Sequence, residues 1–443
     1  MYAVDTEFYG ADADLKTPVC LVVRELLTGT VQRYWQDDLN TMPRAPFDTG
    51  PEALFVCYFA PAELGIFRQL GWELPQRIFD CFTEFACETN GQELPGGKSF
   101  LSALDYFGFG HIGIDTKADM RLVILGGGPW DVQQRAHVLD YCQSDVDGLA
   151  CLFQAMVERW ITNELRLGQA LLRGRYMAAV SAIERNGIPI DVELFERLRD
   201  NWSRVKLALI SEIDKNYGVY AHGRFKEQLL ESYLAKNNIS WPRLPSGRLQ
   251  LDRDTFKTQA AVSVQLKPLH DLRVTLDELK LADIAVGKDG RNRVMLSPFR
   301  AKTGRNQPST SRFIFGPSKW VRGLIRPRPG YSIAYIDWRS QEIAVAAARS
   351  GDPNLWAAYS SGDPYMAFAI QAGLAPAGAT KDTHKAVRNR CKTIVLGVQY
   401  GMTAVGMSRN SSLLEAEAQD LIRRHRETYH VFWAWAEKNA AAA

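Results

Sequence analysis

One stretch, from Tyr331 to Ala348, constrains the fold more than any other part of this sequence. It reads YSIAYIDWRSQEIAVAAA, in which apolar residues lead to a carboxylate at Asp337 and helix-forming residues follow a polar step. The pattern predicts a buried β-strand that ends at Asp337 and a helix that carries Glu342 toward the same cleft. A carboxylate beside a hydrophobic sheet needs a partner to offset its desolvation, and a divalent cation would serve. The alternative at this point is that Asp337 only caps the helix.

A second stretch carries cations at helical spacing. It reads KAVRNRCKTIVLGVQYGM from Lys385, and Arg388, Lys392, Leu396 and Tyr400 recur every four residues, so they line one helix face. Two cations one turn apart, followed by an apolar residue and an aromatic, suit a triphosphate at one end and a base at the other.

Together the two stretches resemble motifs A and B of the family A DNA polymerases, the bacterial DNA polymerase I type, in a phage-like form. Asp337 and Glu342 match D-x-x-x-x-E, and the run from Arg388 to Gly401 matches R-x-x-x-K-x-x-x-x-G-x-x-Y-G. A Thr-Gly-Arg sequence at residues 303–305 resembles the element that holds the primer-template in this family. The resemblance covers roughly residues 170 to 443.

This resemblance implies a palm site and a DNA contact. Asp337 matches the first of two palm aspartates that hold two Mg²⁺ (or Mn²⁺) ions for phosphoryl transfer. Thr303, Arg305 and Arg312 lie in a basic, irregular run whose aromatic residues favour an ordered surface that grips the primer-template backbone.

The resemblance also implies a site for the incoming deoxynucleoside triphosphate. Arg388 and Lys392 match the cations that contact the triphosphate, and Tyr400 matches the aromatic beside the templating base. Glu342 matches the residue that crowds the sugar 2′ position, so it is expected to favour deoxynucleotides. Leu396 stands where the family has Phe or Tyr, and we expect altered nucleotide discrimination there.

The sequence departs from the family after Gly401. Family A polymerases supply a second catalytic aspartate from a His-Asp-Glu turn well over a hundred residues beyond this helix, and no such turn follows here. The chain is therefore expected to be a fragment of a longer protein, or to be completed by a second chain, or to retain DNA binding and exonuclease work alone. Truncation is favoured.

The N-terminal part shows alternating apolar stretches at Val19 to Glu25, Thr30 to Trp35 and Ala53 to Tyr58. Helical periodicity follows at Pro61 to Leu70 and at Gln133 to Trp160. These elements predict a mixed sheet flanked by helices.

Four carboxylates mark this part of the chain. Asp5 and Glu7 lie two residues apart, on the same side of a strand, where a metal ion would relieve their repulsion. Tyr141 and Asp145 lie one helical turn apart. Together they resemble the DEDDy type of 3′–5′ exonuclease, which implies that Asp5, Glu7 and Asp145 bind two metal ions and that Tyr141 positions the attacking water. Glu63 stands where the family has Asp, which adds one methylene.

A connector and thumb are predicted next. A helical tract runs from Val157 through Asn186 and ends at Gly187, and a new helix is capped by Asp191. Residues 242–252 are predicted to be a loop.

Charge divides the chain into two parts. Residues 1–160 hold 11 Lys and Arg against 23 Asp and Glu, a balance of −12, and the remainder holds 42 against 27, a balance of +15. The basic part suits a surface that follows phosphates. The seven cysteines form no C-x-x-C pair, so neither a disulfide framework nor a zinc site is supported. The absence of a long apolar run predicts no membrane contact and a cytoplasmic location, in a bacterium or a phage-infected host.

The predicted fold class is an α/β exonuclease domain with a ribonuclease H-like mixed sheet flanked by helices, followed by a mostly helical thumb and fingers region and a partial α+β palm. The domains are residues 1–155, 156–300, 301–350 and 351–443. The predicted function is template-directed DNA synthesis with proofreading, and the partners are primer-template DNA, single-stranded 3′ ends and deoxynucleoside triphosphates. The alternatives are a DEDDy exonuclease with a polymerase-derived DNA-binding region and a non-catalytic DNA-binding subunit.

Overall fold

The computed structural model describes residues 1–109, 114–278, 283–316, 319–411 and 413–441. The chain forms two compact units, Met1–Ser332 and Ile333–Ala443, each with its own hydrophobic core. Across those described ranges, none of the helices combines the length and the apolar character that a membrane span requires.

The first unit begins with an α/β layer whose elements agree closely with the predicted pattern. In chain order they are β1 (Tyr2–Tyr9), β2 (Thr17–Glu25), β3 (Val31–Trp35), α1 (Gln36–Leu39), β4 (Leu54–Cys57), α2 (Pro61–Leu70), β5 (Arg77–Asp80), α3 (Cys81–Glu88), α4 (Phe100–Tyr106), α5 (Ile114–Leu125) and α6 (Val132–Trp160). The strands form one sheet in the order β3-β2-β1-β4-β5. β2 pairs antiparallel with both β1 and β3. β4 runs parallel to β1, and β5 runs parallel to β4. The predicted mixed sheet is therefore confirmed.

Helices cover both faces of this sheet. On one face α6 packs against β1 and β2, and its apolar residues Val138, Cys142, Val146 and Leu149 recur at helical spacing in the core. On the other face α2 and the following helix α7 (Glu164–Asn186) pack together, with Leu64 and Met177 in a second core cluster. β1 thus lies in the middle of the sheet with a helical layer on each side.

The helical tract predicted from Val157 through Asn186 is not continuous. α6 ends at Trp160, and the side chain of Asn163 caps α7 by accepting a hydrogen bond from the amide of Arg166. Asn is one of the preferred residues for this position because its side chain satisfies an amide that has no helical partner. The predicted end of the tract is confirmed, since Gly187 follows α7 with φ of 57° and Asp191 caps the next helix.

The rest of the first unit is mostly helical. It contains β6 (Ile188–Pro189), α8 (Val192–Asp214), β7 (Tyr220–Ala221), β8 (Arg224–Phe225), α9 (Glu227–Lys236), α10 (Arg253–Val262), α11 (Lys267–Glu278) and β9 (Arg291–Asn292). Residues 242–252 form neither helix nor strand beyond a single bridge, as predicted. The two short sheets, β6-β9 and β7-β8, tie loops to this helical part.

The second unit is helical where the structure describes it. Its helices are α12 (Gln341–Ser350), α13 (Pro353–Ser360), α14 (Pro364–Gln371), α15 (Lys385–Gln399), α16 (Ala404–Asn410), α17 (Glu415–Thr428) and α18 (His430–Ala441). Phe368, Ile394 and Tyr429 are fully buried at its centre. The carboxylate of Asp352 accepts hydrogen bonds from the backbone amides of Leu355 and Phe432, so it joins the start of α13 to α18.

The prediction of a buried strand that ends at Asp337 is wrong for the chain as described. Residues 331–338 are exposed throughout and form neither helix nor strand, with Tyr335 91% and Ile336 87% exposed. Asp337 does not cap the helix that follows, since Ser340 occupies the N-cap position of α12. The apolar pattern fits a strand, but a strand is buried only where other strands pair with it.

A close approach between α7 and β5 fixes the helical layer to the sheet. A Cβ atom at Gly174 would lie 1.9 Å from the carbonyl oxygen of Ile78. Next to it, Arg173 donates to both carboxylate oxygens of the buried Glu84 on α3, at 2.7 and 2.6 Å. The bidentate pair neutralises Glu84 and holds the helix in register.

Gly174→Ala is therefore expected to destabilise the first unit by about 1–3 kcal/mol, because the added methyl group forces α7 away from β5. Gly168→Ala on the same helix is the matched control, since a Cβ there meets nothing within 4 Å. Helix propensity alone would make that control up to about 1 kcal/mol more stable. Urea unfolding of both variants measures the difference, and equal stabilities would contradict the close approach.

Candidate functional site

Three predicted carboxylates converge in the first unit. Asp5 and Glu7 project from β1 to the side on which α6 carries Asp145. One carboxylate oxygen of each residue lies within 4.8 Å of the others, and all three side chains are half-buried. The thiol of Cys142, one turn before Val146, donates to Oδ2 of Asp5 at 3.3 Å. Such a group of oxygens is the kind of ligand set that Mg²⁺ or Mn²⁺ prefers.

Glu63 lies beside this cluster in the first turn of α2. Its side chain is 3% exposed, and its Oε2 atom has no hydrogen-bond partner among the residues that the structure describes. Burial raises the pKa of Glu63 well above its usual range, and the charges of Asp5, Asp80 and Glu7 raise it further. Glu63 is outside the 4.8 Å group, so the predicted fourth ligand is adjacent to the other three rather than among them.

Tyr141 is placed one turn before Asp145 and lies against the cluster. Burial raises the pKa of its phenol, and the charges of Asp145, Glu7 and Asp5 raise it further. The phenol hydrogen-bonds to Asp145. It is therefore protonated at all physiological pH values and can donate a hydrogen bond.

Asp80, which the sequence interpretation did not select, positions Glu63. Its fully buried carboxylate accepts hydrogen bonds from the backbone amides of Phe59 at 3.2 Å, Ala60 at 2.8 Å and Thr83 at 3.1 Å. Phe59 has φ of 77°, a left-handed conformation that few residues adopt without such support. Burial raises the pKa of Asp80 to about 6. An Asp between an apolar strand and a helical run is a recognisable N-cap, so part of this role was visible in the sequence.

The second unit brings together the residues predicted to contact a nucleotide. The Arg388 guanidinium and the Lys392 ammonium lie 5.2 and 5.7 Å from the centre of the Tyr365 ring. Arg388 also donates to Asp363 at 2.6 Å. Asp363 and Tyr365 were not selected from the sequence, because they belong to α14 and its cap, more than 20 residues before Arg388.

Two more of the predicted residues meet at the other end of α15. The hydroxyl of Tyr400 donates to the carboxylate of Glu342 on α12. Leu396 is half-buried on the same helix. An open groove of about 1230 Å³ begins at this pair and continues along α17 and α18, past Trp433 and Trp435.

Four predicted residues remain to be placed, and the described contacts put none of them in the two groups above: Asp337, Thr303, Arg305 and Arg312. Asp337 is exposed, and no hydrogen bond or ion pair of the described residues includes its side chain. Thr303 and Arg305 are exposed near a turn at Gly304, whose φ is 74°. Arg312 forms an ion pair with Asp12, so it fastens the loop after β1. The DNA contacts of Thr303, Arg305 and Arg312 stay predictions.

The chain matches the DNA polymerase family A over residues 314–443. It is 25% identical to DNA polymerase I of Aquifex aeolicus over 332 residues, which make up 68% of this chain and 56% of that protein. It is 33% identical to the thermostable DNA polymerase I of Thermus thermophilus over 119 residues, 26% of this chain and 14% of that protein. The chain therefore spans about half the length, or less, of these relatives.

The fold is similar to that of a solved polymerase. The polymerase domain of Pol1 from M. smegmatis, in complex with primer-template DNA and a dNTP, aligns with 99% of this chain at a TM-score of 0.67. The chain covers 74% of that domain, with 16% identical residues, so this match speaks for the fold. Residues 314–443 therefore resemble the family A DNA polymerases in sequence, and the chain is similar in fold to a polymerase domain.

Proposed function

We propose that this chain serves template-directed DNA synthesis and also removes nucleotides from 3′ ends through its N-terminal part. The observation that carries the exonuclease proposal is the convergence of Asp5, Glu7 and Asp145 from two separate elements. The strand order of the sheet supports a ribonuclease H-like arrangement, since three antiparallel strands are followed by two that run parallel to the first.

The residues at the cluster fit a pair of divalent cations. Half-buried carboxylates that face one another repel, and the Oε2 atom of Glu63 lacks a hydrogen-bond partner among the described residues. When bound there, two divalent cations would supply an activated water and stabilise the leaving oxygen of a phosphodiester. Asp5, Glu7 and Asp145 would hold them, with Glu63 as the adjacent fourth carboxylate.

Tyr141 contributes a protonated hydroxyl to this site. Its raised pKa keeps the phenol protonated, so the hydroxyl donates to Asp145 and its oxygen can accept a hydrogen bond from the attacking water and orient it. Asp80 acts indirectly. It fixes the start of α2 and therefore the direction of the Glu63 side chain.

The second unit is proposed to bind the deoxynucleoside triphosphate. Arg388 and Lys392 present two positive charges one turn apart, and the Tyr365 ring holds both through cation–π contacts. At the other end of α15, Tyr400 and Glu342 form a hydrogen-bonded pair suited to the base and sugar. Leu396 between them offers an aliphatic surface in place of a ring, which changes nucleotide discrimination.

The palm is proposed to be completed by polypeptide that supplies the second aspartate beside Asp337, either in a longer chain or from a second one. The exposed apolar segment 331–338 supports this, because its alternating residues suit a strand in a sheet. Primer-template DNA is proposed to follow the basic part of the chain through Thr303, Arg305 and Arg312.

A second candidate function is exonuclease activity with DNA binding and no synthesis. It is favoured by one contrast, since the carboxylates of the first unit form a cluster and the side chain of Asp337 joins no contact of the described residues. A labelled primer-template with Mg²⁺, with and without all four deoxynucleotides, separates the candidates. Extension supports synthesis, shortening alone supports the exonuclease, and gel retardation with neither supports a DNA-binding subunit.

Asp5→Ala and Asp145→Asn are expected to lower primer shortening by at least about 100-fold, because each removes a metal ligand worth several kcal/mol in the transition state. Asp140→Asn is the matched control on α6, since this exposed carboxylate forms an ion pair with Arg33 at the surface. Its rate is expected to match that of the wild type. Gel retardation checks that all variants bind DNA equally. Undiminished shortening by Asp145→Asn excludes its role as a ligand.

Glu63→Gln is expected to raise the melting temperature in EDTA at neutral pH and to lower the gain from added Mg²⁺ or Mn²⁺. A carboxyl with a raised pKa stabilises the fold below its unfolded pKa, and this stability is lost as the pH rises toward the folded value. Gln stays neutral and avoids that loss. Thermal melting with EDTA and with each metal measures both effects. A variant that melts below the wild type in EDTA contradicts the buried, uncompensated carboxyl.

Lys392→Ala is expected to weaken binding of a deoxynucleoside triphosphate by about 10-fold or more, because a charged hydrogen bond contributes about 1.5–3 kcal/mol. Arg390→Ala is the control on another face of α15, where Arg390 lies 3.8 Å from Glu417. Calorimetric titration of the chain with Mg²⁺-dATP gives both affinities. Equal dissociation constants for the two variants count against the assignment of this helix face.

A further inference from the structure

Two arginines face each other at the ends of α2 and α7 without a counter-charge. Arg68 lies in the last turn of α2, and Arg185 lies in the last turn of α7. Burial lowers the pKa of Arg68, and the positive charge of Arg185 lowers it further, so the two guanidiniums repel. Neither side chain forms an ion pair with any residue in the described part of the chain.

Both side chains also carry unsatisfied donors. The Nε atoms of Arg68 and Arg185 are buried and have no hydrogen-bond partner within the described ranges. Their other hydrogen bonds are long, since Arg68 reaches the carbonyl of Ala178 at 3.4 Å and Arg185 reaches Gln69 at 3.4 Å. Buried guanidinium donors are normally satisfied, so both side chains have fewer hydrogen bonds than is usual within the described ranges.

The helix ends themselves do not account for this charge. A cation in the last turn of a helix interacts favourably with the helix dipole. At the end of α7, however, Arg293 already donates to the carbonyl of Arg185 at 2.7 Å, and Arg291 donates to the carbonyl of Asn186. The carbonyl groups that would attract Arg185 are therefore already paired with other guanidiniums.

The neighbouring acid does not neutralise the pair either. Glu184 precedes Arg185 on α7, but its carboxyl accepts the amide of Leu296 at 2.6 Å. Burial raises the pKa of Glu184 to about 7, so much of it is uncharged at neutral pH. The end of α7 therefore carries an excess of positive charge.

A cavity of about 270 Å³ opens between the two arginines. It is lined by Arg68, Gly71, Trp72, Ala182, Arg185 and Asn186. Arg68 follows Glu63 by five residues, which places the two roughly 7–8 Å apart along the axis of α2. The cavity thus lies at the opposite end of α2 from the carboxylate cluster.

We propose that Arg68 and Arg185 form a binding site for a phosphate group. Guanidinium donors that converge from two helices match the geometry of phosphate oxygens, and the negative charge relieves the repulsion between the arginines. The phosphate belongs either to a DNA strand or to a free phosphate or nucleotide. The inference does not depend on the proposed catalytic functions.

Inorganic phosphate tests the site directly. Melting curves are recorded in sodium phosphate and in sodium chloride at equal pH and ionic strength. Phosphate salts stabilise most proteins by exclusion from their surface, and this general effect is the same for every variant. The wild type is expected to gain an additional roughly 2–4 °C from specific binding.

Arg185→Gln and Arg68→Gln are expected to lose that additional gain and to melt no lower than the wild type in chloride, because the repulsion is gone. Arg175→Gln is the matched control, since this exposed arginine on α7 changes the net charge equally and lies outside the cavity. It is expected to retain the full gain. If all three variants show the same increment in phosphate, the proposal is wrong.

A fluorescent single-stranded oligodeoxythymidine identifies the source of the phosphate. If the site takes a DNA phosphate, Arg185→Gln binds the oligonucleotide several-fold more weakly than Arg175→Gln, and the salt dependence falls by about one ion. If the thermal gain is lost while both variants bind the oligonucleotide equally, the site takes free phosphate or a phosphate monoester. Both results support the phosphate site and differ only in the source.

Discussion

Mutual repulsion among the carboxylates of β1, α2 and α6 is the constraint on which the first unit depends. The sheet and its helical layers hold Asp5, Glu7 and Asp145 together although each charge disfavours the others. Apolar burial makes this possible. Side chains such as Val138, Val146 and Leu149 each contribute about 1.5–3 kcal/mol when removed from water, which offsets the cost of burying Glu63, whose pKa is raised by burial and by the neighbouring charges. A core of this size can offset the repulsion between a few closely spaced carboxylates, whereas a surface loop could not.

The supporting residues are as informative as the cluster. Asp80 satisfies three amides with one carboxylate, and two of those amides belong to the turn that opens α2. The direction of Glu63 therefore depends on a residue of a neighbouring strand. In the second unit, Tyr365 and Asp363 relate to Arg388 in the same way, because they hold a cation in place without belonging to its helix.

Much of this could be predicted from local sequence. α2 begins and ends where its periodicity does, and Gly187 and Asp191 mark the helix end and start that their backbone chemistry favours. The break between α6 and α7 was missed although Asn163 is a recognisable cap, because both flanks have helical periodicity. Asp80 and Asp363 could not be assigned their partners, since those contacts join residues 20 and 25 positions apart. The strand predicted at residues 331–338 needs neighbouring strands that no local pattern reveals.

That same segment has a consequence for how the chain behaves in solution. Tyr335, Ile336 and Trp338 present large apolar surfaces, and the backbone around them belongs to no sheet. An exposed apolar segment of this kind favours contact between copies, so concentrated preparations of the chain will tend to self-associate and precipitate. Charged substitutions on one side of the segment would break up this apolar surface and keep the chain dispersed.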